Sequence, residues 1–275
     1  MRLLAFAKIN LTLDVRGRRD DGYHEIDSLV QTIDLADRIC VSRCERGVRV
    51  DNDLVGLRGR DLAEVAAEGL LAEKGSNVGL RVSVEKRIPS GAGLGGGSSD
   101  AAAVLAAADR LTPPCLPEDV LLKLAAEIGS DVPLFLLGGL VRVTGRGESV
   151  ARAGAVSRER FAVLVPPIHS DTAEIYRRFS ATRRCRGQHS IGENDLLAPA
   201  LEAHPALARY DEAIGFVGAD RVGMSGSGSS FFAAFRDASR AESAAETLRG
   251  QFPQAEVFVC SPTAAGHRII EGDPG

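Results

Sequence analysis

Polar and apolar side chains alternate over residues 3–15, with Ile9, Leu11, Leu13 and Val15 on one side and Lys8, Asn10, Thr12 and Asp14 on the other. A period of two is that of a β-strand. Asp20-Asp21-Gly22 then reads as a turn. Further strands are predicted at 38–42, 47–51 and 79–88, the last from the alternation of Leu80, Val82 and Val84. The spacing becomes helical over 61–73, where Leu62, Val65, Ala66 and Leu70 form one stripe. Residues 98–110 are dense in alanine and predict a helix. Pro113-Pro114 stops its extension. A third helix fits 117–128, with Val120, Leu121, Leu124, Ala125 and Ile128 on its face and Gly129 as its end.

Residues 150–160 are small and polar without a period, which predicts a junction between one domain at 1–153 and another at 154–275. Beyond it the pattern reads strand 161–165, helices 172–179 and 205–217, strands 221–224 and 231–235, helix 237–249 and strand 255–260. That succession suits an antiparallel sheet covered by helices, so the chain reads as α+β. Residues 180–192 read as a mobile loop and 271–275 as a disordered tail.

Composition narrows the function. With 275 residues, 44% hydrophobic and 25% charged, the chain is of the soluble globular class and long enough for two domains. A net charge of −4 speaks against a nucleic-acid or membrane-surface partner. No apolar run reaches the roughly 18 residues of a membrane span. Lys8 and Asn10 interrupt the apolar start, which therefore does not read as a signal peptide. The five cysteines are scattered, with no CxxC pair, and read as reduced thiols of a cytoplasmic protein without a metal site. Four lysines stand against 29 arginines, a bias of composition rather than a functional signal.

Between a predicted strand and a predicted helix lies Pro89-Ser90-Gly91-Ala92-Gly93-Leu94-Gly95-Gly96-Gly97-Ser98-Ser99-Asp100. Glycines admit positive φ and let backbone N–H groups approach an anion. The helix N-terminus adds unpaired donors and a partial positive charge. Together these make a phosphate cradle, to which Ser98 and Ser99 can add hydroxyls or reach a metal ion. The same residues also suit a flexible linker whose Ser99 or Asp100 caps the helix. The segment is not a GxxxxGK[ST] loop, and it lacks the βαβ setting of a dinucleotide fingerprint.

Four further groups invite chemistry, each beside a plain structural reading. Lys8 and Asn10 share a strand face, which can equally be solvated. Tyr23 and His24 follow a tight turn and suit either stacking on a base or a hairpin shoulder. Asp131, in Gly129-Ser130-Asp131-Val132-Pro133, stands where a helix cap would. Gly223-Met224-Ser225-Gly226-Ser227-Gly228-Ser229-Ser230 can bend toward a ligand or form a hairpin turn. Asn194-Asp195 reads as a helix cap.

Taken together, PSGAGLGGGSSDAA at 89–102 resembles the second motif of the GHMP small-molecule kinases, and Gly226-Ser227-Gly228-Ser229 their third. Ala7-Lys8-Ile9-Asn10-Leu11 with Asp21-Gly22-Tyr23-His24, and Gly129 to Pro133, also resemble the family, and Lys8-Ile9-Asn10 with Asp21-Gly22-Tyr23-His24 narrow the resemblance to members acting on a cytidine diphosphate-linked sugar alcohol of the non-mevalonate isoprenoid route. The order and spacing match over almost the whole chain. The resemblance implies an α+β two-domain GHMP kinase fold, N-terminal ribosomal-protein-S5-domain-2-like and C-terminal ferredoxin-like. It implies ATP and Mg²⁺ as cofactors, with Pro89, Gly91, Gly93, Leu94, Gly95, Gly96, Gly97, Ser98 and Ser99 on the nucleotide. It assigns catalysis to Lys8 and Asp131. It assigns the substrate to Asn10, Tyr23, His24, Thr172, Tyr176, Gly226, Ser227 and Gly228; Tyr176 by its residues alone suits the core face of a short helix equally well. A monomer or weak homodimer is expected. Departures from the family pattern fall at Val30, where an aromatic is usual, at Arg60-Asp61-Leu62 in place of Asp-Asn-Leu, and at Thr144 in place of a charge. Competing readings are another GHMP kinase, acting on a mevalonate- or homoserine-like alcohol, and a non-catalytic nucleotide-binding regulator.

Overall fold

A computed structural model describes residues 1–52, 60–179 and 190–271. The first sheet is organised by two strands, β1 (Arg2–Asn10) and β3 (His24–Cys44), paired antiparallel, with β2 (Asp14–Arg18) hairpinned onto the start of β3. Along the main path, β4 (Val48–Asn52) and β5 (Gly79–Glu85) extend the sheet beyond β3. The sequence pattern shows only residues 38–42 of β3. In its earlier half Val30 to Ile33 are buried in succession on both faces, and the buried positions include the polar Ser28, Gln31 and Thr32, so polarity does not alternate with burial there. The register of β1 on β3 shifts between Phe6 and Ala7, a bulge that turns the following residues toward the site.

Helices α1 (Leu62–Glu73), α2 (Gly96–Leu111) and α3 (Glu118–Ile128) follow the predicted stripes, and the structure adds α4 (Val132–Leu137). Asp61 starts α1 as its N-cap, accepting from Ala63 N–H, so the departure at 60–62 serves the helix start. Alanines let α2 lie close in among α1, α4 and the strands; Ala101 to Leu105 are fully buried. Strands β6 (Leu140–Gly145) and β7 (Ser149–Arg152) complete this part, so β7 occupies the beginning of the stretch predicted as a junction.

The second sheet contains β8 (Arg160–Val165), β9 (Arg221–Met224), β10 (Phe231–Phe235) and β11 (Glu256–Cys260), in the order β11-β8-β10-β9 and antiparallel throughout. Helix α5 (Thr172–Arg178), α6 (Leu197–Ala203), a 3₁₀ turn at Pro205–Leu207, α7 (Ala208–Gly215) and α8 (Ala238–Gln251) surround it. The single helix predicted over 205–217 is divided into the turn, which Pro205 opens at its first position, and α7. The last strand, β12 (His267–Glu271), returns to pair with β1 in the first sheet, so sheet membership does not follow a division at 153/154 to the end of the chain.

One apolar cluster joins the two sheets: Ala7, Ile9, Leu11 and Ile33 meet Ile88, Ala92 and Leu94 together with Phe161, Val163 and Phe232. The glycine-rich loop therefore rests on core from both sheets. Of the predicted mobile loop 180–192, residues 180–189 lie outside the described residues, and Gly192 N–H donates to the Leu11 carbonyl. Of the predicted disordered tail, 272–275 lie outside them too, and Glu271 ends β12. Among the described residues no helix is long and apolar enough to cross a membrane.

Candidate active site

Strand β5 delivers the chain to the loop, and Gly95, at φ +74°, is the N-cap of α2. Gly91 and Gly93 share the left-handed region, at φ +65° and +77°. The loop is bonded to three neighbours. Lys8 N–H donates to the Leu94 carbonyl at 3.0 Å, and Ser170 N–H to the Gly91 carbonyl at 3.1 Å. Ser230 N–H donates to the Ala92 carbonyl at 3.1 Å, and Ser225 Oγ to the Gly93 carbonyl at 2.8 Å. A Cβ at Gly93 would fall on the Ser225 carbonyl oxygen. Glycine is thus required there by the packing of the two glycine-rich segments, not only by the approach of an anion.

The predicted phosphate-facing residues divide by exposure. Gly91 and Gly97 are exposed; Pro89, Gly93, Gly95, Gly96 and Ser98 are half-buried. The Leu94 side chain is fully buried in the core shared by the sheets, so only its backbone is available to a ligand. Ser99 corrects the expectation: it is fully buried and its hydroxyl donates to the Phe6 carbonyl at 2.6 Å. It fastens α2 to β1 and its proton is committed to that bond.

The shared strand face of Lys8 and Asn10 is real but not solvated; they are 5% and 7% exposed. Lys8 Nζ donates to Asn10 Oδ1, and Asn10 Nδ2 donates to Ser28 Oγ at 2.8 Å. The Asn10 carboxamide, expected on the substrate, is engaged within the protein and orients the ammonium. Gly226 closes over that ammonium: a Cβ there would be 3.2 Å from Lys8 Nζ. Burial lowers the Lys8 pKa, and the charge of Asp131 opposes the fall.

Asp131 occupies the N-cap position of α4 yet makes no side-chain cap bond. The structure therefore separates the two readings of this residue: it has the place of a cap without doing the work of one. Its carboxylate is instead near Lys8 and Tyr176, on both of which its charge acts. Among the described residues no ion-pair contact joins Lys8 and Asp131.

The aromatic residues converge beside this pair. His24 stacks at a tilt on Tyr176, with ring centroids 5.1 Å apart, and meets Phe179 edge-on at 5.9 Å. Burial, and then the nearby Asp131 charge, push the Tyr176 phenol upward. Burial and the Arg18 charge lower His24, which favours the neutral ring. Tyr23, at the tip of the β2–β3 turn, is 56% exposed. The Arg146 guanidinium lies over its ring at 5.3 Å. Arg146 escaped the sequence reading, although Gly145-Arg146-Gly147-Glu148 adjoins the Thr144 departure. The signal is the glycine on each side: a Cβ at Gly147 would lie 3.4 Å from Asp131 Oδ1, so this turn bridges the acid and the aromatic tip.

The third glycine-rich segment closes the remaining side. Gly226, Ser227 and Gly228 are buried, and Ser227 Oγ is 2.8 Å from Thr172 Oγ1. Ser170 Oγ donates to the Ser227 carbonyl at 2.8 Å. Asn194 does more than cap. Its Oδ1 accepts from Leu196 N–H at 2.8 Å, while its Nδ2 donates to the Met224 and Gly226 carbonyls, both at 2.8 Å. No group of three His, Cys, Asp or Glu side chains that could hold a metal ion occurs among the described residues.

The arrangement sets a loop of left-handed glycines at the start of α2, a buried lysine and a carboxylate free of capping close to one another, with an aromatic cluster beside them. Comparison with known proteins bears on the fold and the family. The family model for the GHMP kinases N terminal domain matches residues 61–139, and that for the GHMP kinases C terminal matches 183–254. A 4-diphosphocytidyl-2-C-methyl-D-erythritol kinase from Syntrophomonas wolfei is 34% identical, covering 94% of this chain and 97% of that relative. The crystal structure of a 4-(cytidine 5'-diphospho)-2C-methyl-D-erythritol kinase superposes with a TM-score of 0.81 at 36% identity, over 95% of this chain and 99% of that one. A homoserine kinase from Cytophaga hutchinsonii shares the fold, with a TM-score of 0.73 at 17% identity over 98% and 97%.

Proposed function

The chain belongs to the 4-diphosphocytidyl-2-C-methyl-D-erythritol kinase family of the GHMP kinases, and from that premise we propose that it transfers the γ-phosphoryl group of ATP to the 2-hydroxyl of 4-diphosphocytidyl-2-C-methyl-D-erythritol. The observation that carries the reading is that Lys8 lies against the glycine-rich loop, its Cγ 3.2 Å from where a Cβ at Gly95 would be, within reach of the charge of Asp131 from a distant part of the chain.

The placement supports the following residue roles. The backbone of Gly91 to Ser98 cradles the ATP phosphates. Asp131 orients the acceptor hydroxyl and receives its proton as the oxygen bonds to the γ-phosphorus; the bond to the β,γ-bridging oxygen breaks and ADP leaves. Lys8, held by Asn10, balances charge on the transferring group. Asn10 thus acts through Lys8. Mg²⁺ bound with ATP would neutralise charge on its phosphates, and Ser98, half-buried in the first turn of α2, is the side chain that would reach it. Tyr23, His24 and Tyr176 take the cytosine, with Arg146 able to leave the Tyr23 face for the ligand. Thr172, Gly226, Ser227 and Gly228 line the path of the substrate diphosphate. The working division is 1–153 for the nucleotide and 154–275 for closing the substrate cleft, β12 excepted. The chain works as a cytoplasmic monomer or weak homodimer in the supply of isoprenoid precursors.

The test is ATP consumption across a panel of alcohols, with free CMP and CDP as competitors. Turnover with the cytidine-bearing alcohol and inhibition by both nucleotides are expected. Turnover of a mevalonate- or homoserine-like alcohol that ignores CMP and CDP would refute the substrate assignment.

A further inference from the structure

The glycine-rich loop has two ends, and one buried ammonium is tied to both. Lys86, at the exit of β5, places Nζ 2.5 Å from Asp37 Oδ2 and 2.6 Å from Asp100 Oδ2. Asp37 Oδ1 accepts the N–H groups of Arg87 at 2.5 Å and Ile88 at 2.8 Å, the residues that lead into the loop. Asp100 stands near the start of α2, where the loop ends. The side chains of Lys86, Asp37 and Asp100 are 8%, 0% and 5% exposed. A Cβ at Gly96 would lie 3.2 Å from Lys86 Nζ, so the ammonium also lies against the first residue of the helix.

Stability alone is a poor reason for this cluster. Buried ion pairs often contribute no more than apolar residues of the same volume, because desolvation offsets their attraction. Asp100 Oδ1 is buried with no hydrogen-bond partner, a further cost. Geometry is the better reason. A loop rich in glycine loses much freedom when it is ordered, and fixing its ends beforehand lowers the cost of holding a ligand. Charge adds to this. Without the ammonium, two carboxylates would stand near the N-terminus of α2 and oppose an incoming phosphate.

We propose that Lys86, with Asp37 and Asp100, is a positioning cluster for the nucleotide: it sets the span between the two ends of the loop and makes Lys86 a determinant of ATP affinity, not of the phosphoryl-transfer step. This rests on the reading of the loop as the ATP cradle.

The experiment compares wild type, K86Q, D100A and D100N by calorimetric titration with ADP and by steady-state kinetics on the whole chain. Absence of ADP binding by wild type would overturn the cradle reading, and the cluster's role with it. If wild type binds, K86Q is expected to weaken ADP and to raise the ATP KM by about tenfold or more, the scale of one lost charge-assisted tie. Its kcat at saturating ATP and its KM for the alcohol should stay within about twofold. D100A keeps Lys86 paired with Asp37 but unties α2, and serves if K86Q does not fold; the same nucleotide-selective loss is expected. D100N retains an acceptor for Lys86 and should restore most of the affinity. The assignment is overturned if folded K86Q or D100A binds ADP as wild type does. It is equally overturned if kcat and both KM values worsen together in step with a lower thermal midpoint, or if D100N is as defective as D100A.

Discussion

Burial disfavours a charge on Lys8 and lowers its pKa by more than Asp131 restores. The unfolded chain therefore holds the proton more tightly, and folding is weakened wherever Lys8 is charged; the loss is relieved as pH rises from the folded value toward the ordinary 10.5. K8M should raise the thermal midpoint by about 2–4 °C for each kcal/mol of desolvation removed, while turnover falls about 100-fold or more. A scanning fluorimetry melt and an ATP-coupled assay on the same preparation check both. D131N should lose about 10²–10⁴ in turnover with ADP affinity nearly unchanged; an active D131N would contradict its role. His24 supplies a pH signature. Its folded pKa lies below 6.5, so the stability it contributes is present above that value and is lost as pH falls through 6.5 toward the folded value. H24N should flatten the fall of the thermal midpoint between pH 7 and 5. At this scale the sequence placed Lys8 and Asn10 on one face by their period, but not the bond between them, since a two-residue spacing is as common on a wet strand as on a buried one.

Elements rather than residues explain the glycines. Gly91 and Gly93 share positive φ, and alanine at either costs about 1–2 kcal/mol of backbone strain. Their surroundings differ. A Cβ at Gly91 would meet the ring of His169, an exposed side chain able to turn aside, whereas at Gly93 it would meet the Ser225 backbone. G93A should therefore lower the thermal midpoint several degrees more than G91A, by an overpacking cost of about 1–3 kcal/mol. Equal melts would show that the two glycine-rich segments do not brace each other. Strand–loop–helix around this motif was readable because alternation, glycines and an alanine-rich stripe follow one another without overlap. α4 and most of β3 were not, because a six-residue helix has no period to display, and in β3 polar Ser28, Gln31 and Thr32 are buried beside apolar residues, Val30 to Ile33 in succession, which hides the alternation.

The whole molecule is interleaved. Strand β12 returns to β1, and residues 192–195 bond to Leu11, Leu13 and Val15 through Gly192 N–H, Glu193 O, Asp195 N–H and Asp195 Oδ2. A fragment ending at 153 would lack both and expose the β1 edge. It should aggregate or show little cooperative melting by circular dichroism and size-exclusion chromatography; a monomeric fragment with a sharp transition would show that the first sheet needs neither.

The sequence by itself determined the order of elements and the family, because periodicity, glycine placement and local motifs are short-range properties written in consecutive residues. Only the tertiary structure decided which candidates act together. It paired Lys8 with Asn10, turned Ser99 inward, released Asp131 from capping and brought Arg146 over Tyr23, because burial and close approach depend on how distant segments pack around each residue, not on its neighbours in sequence.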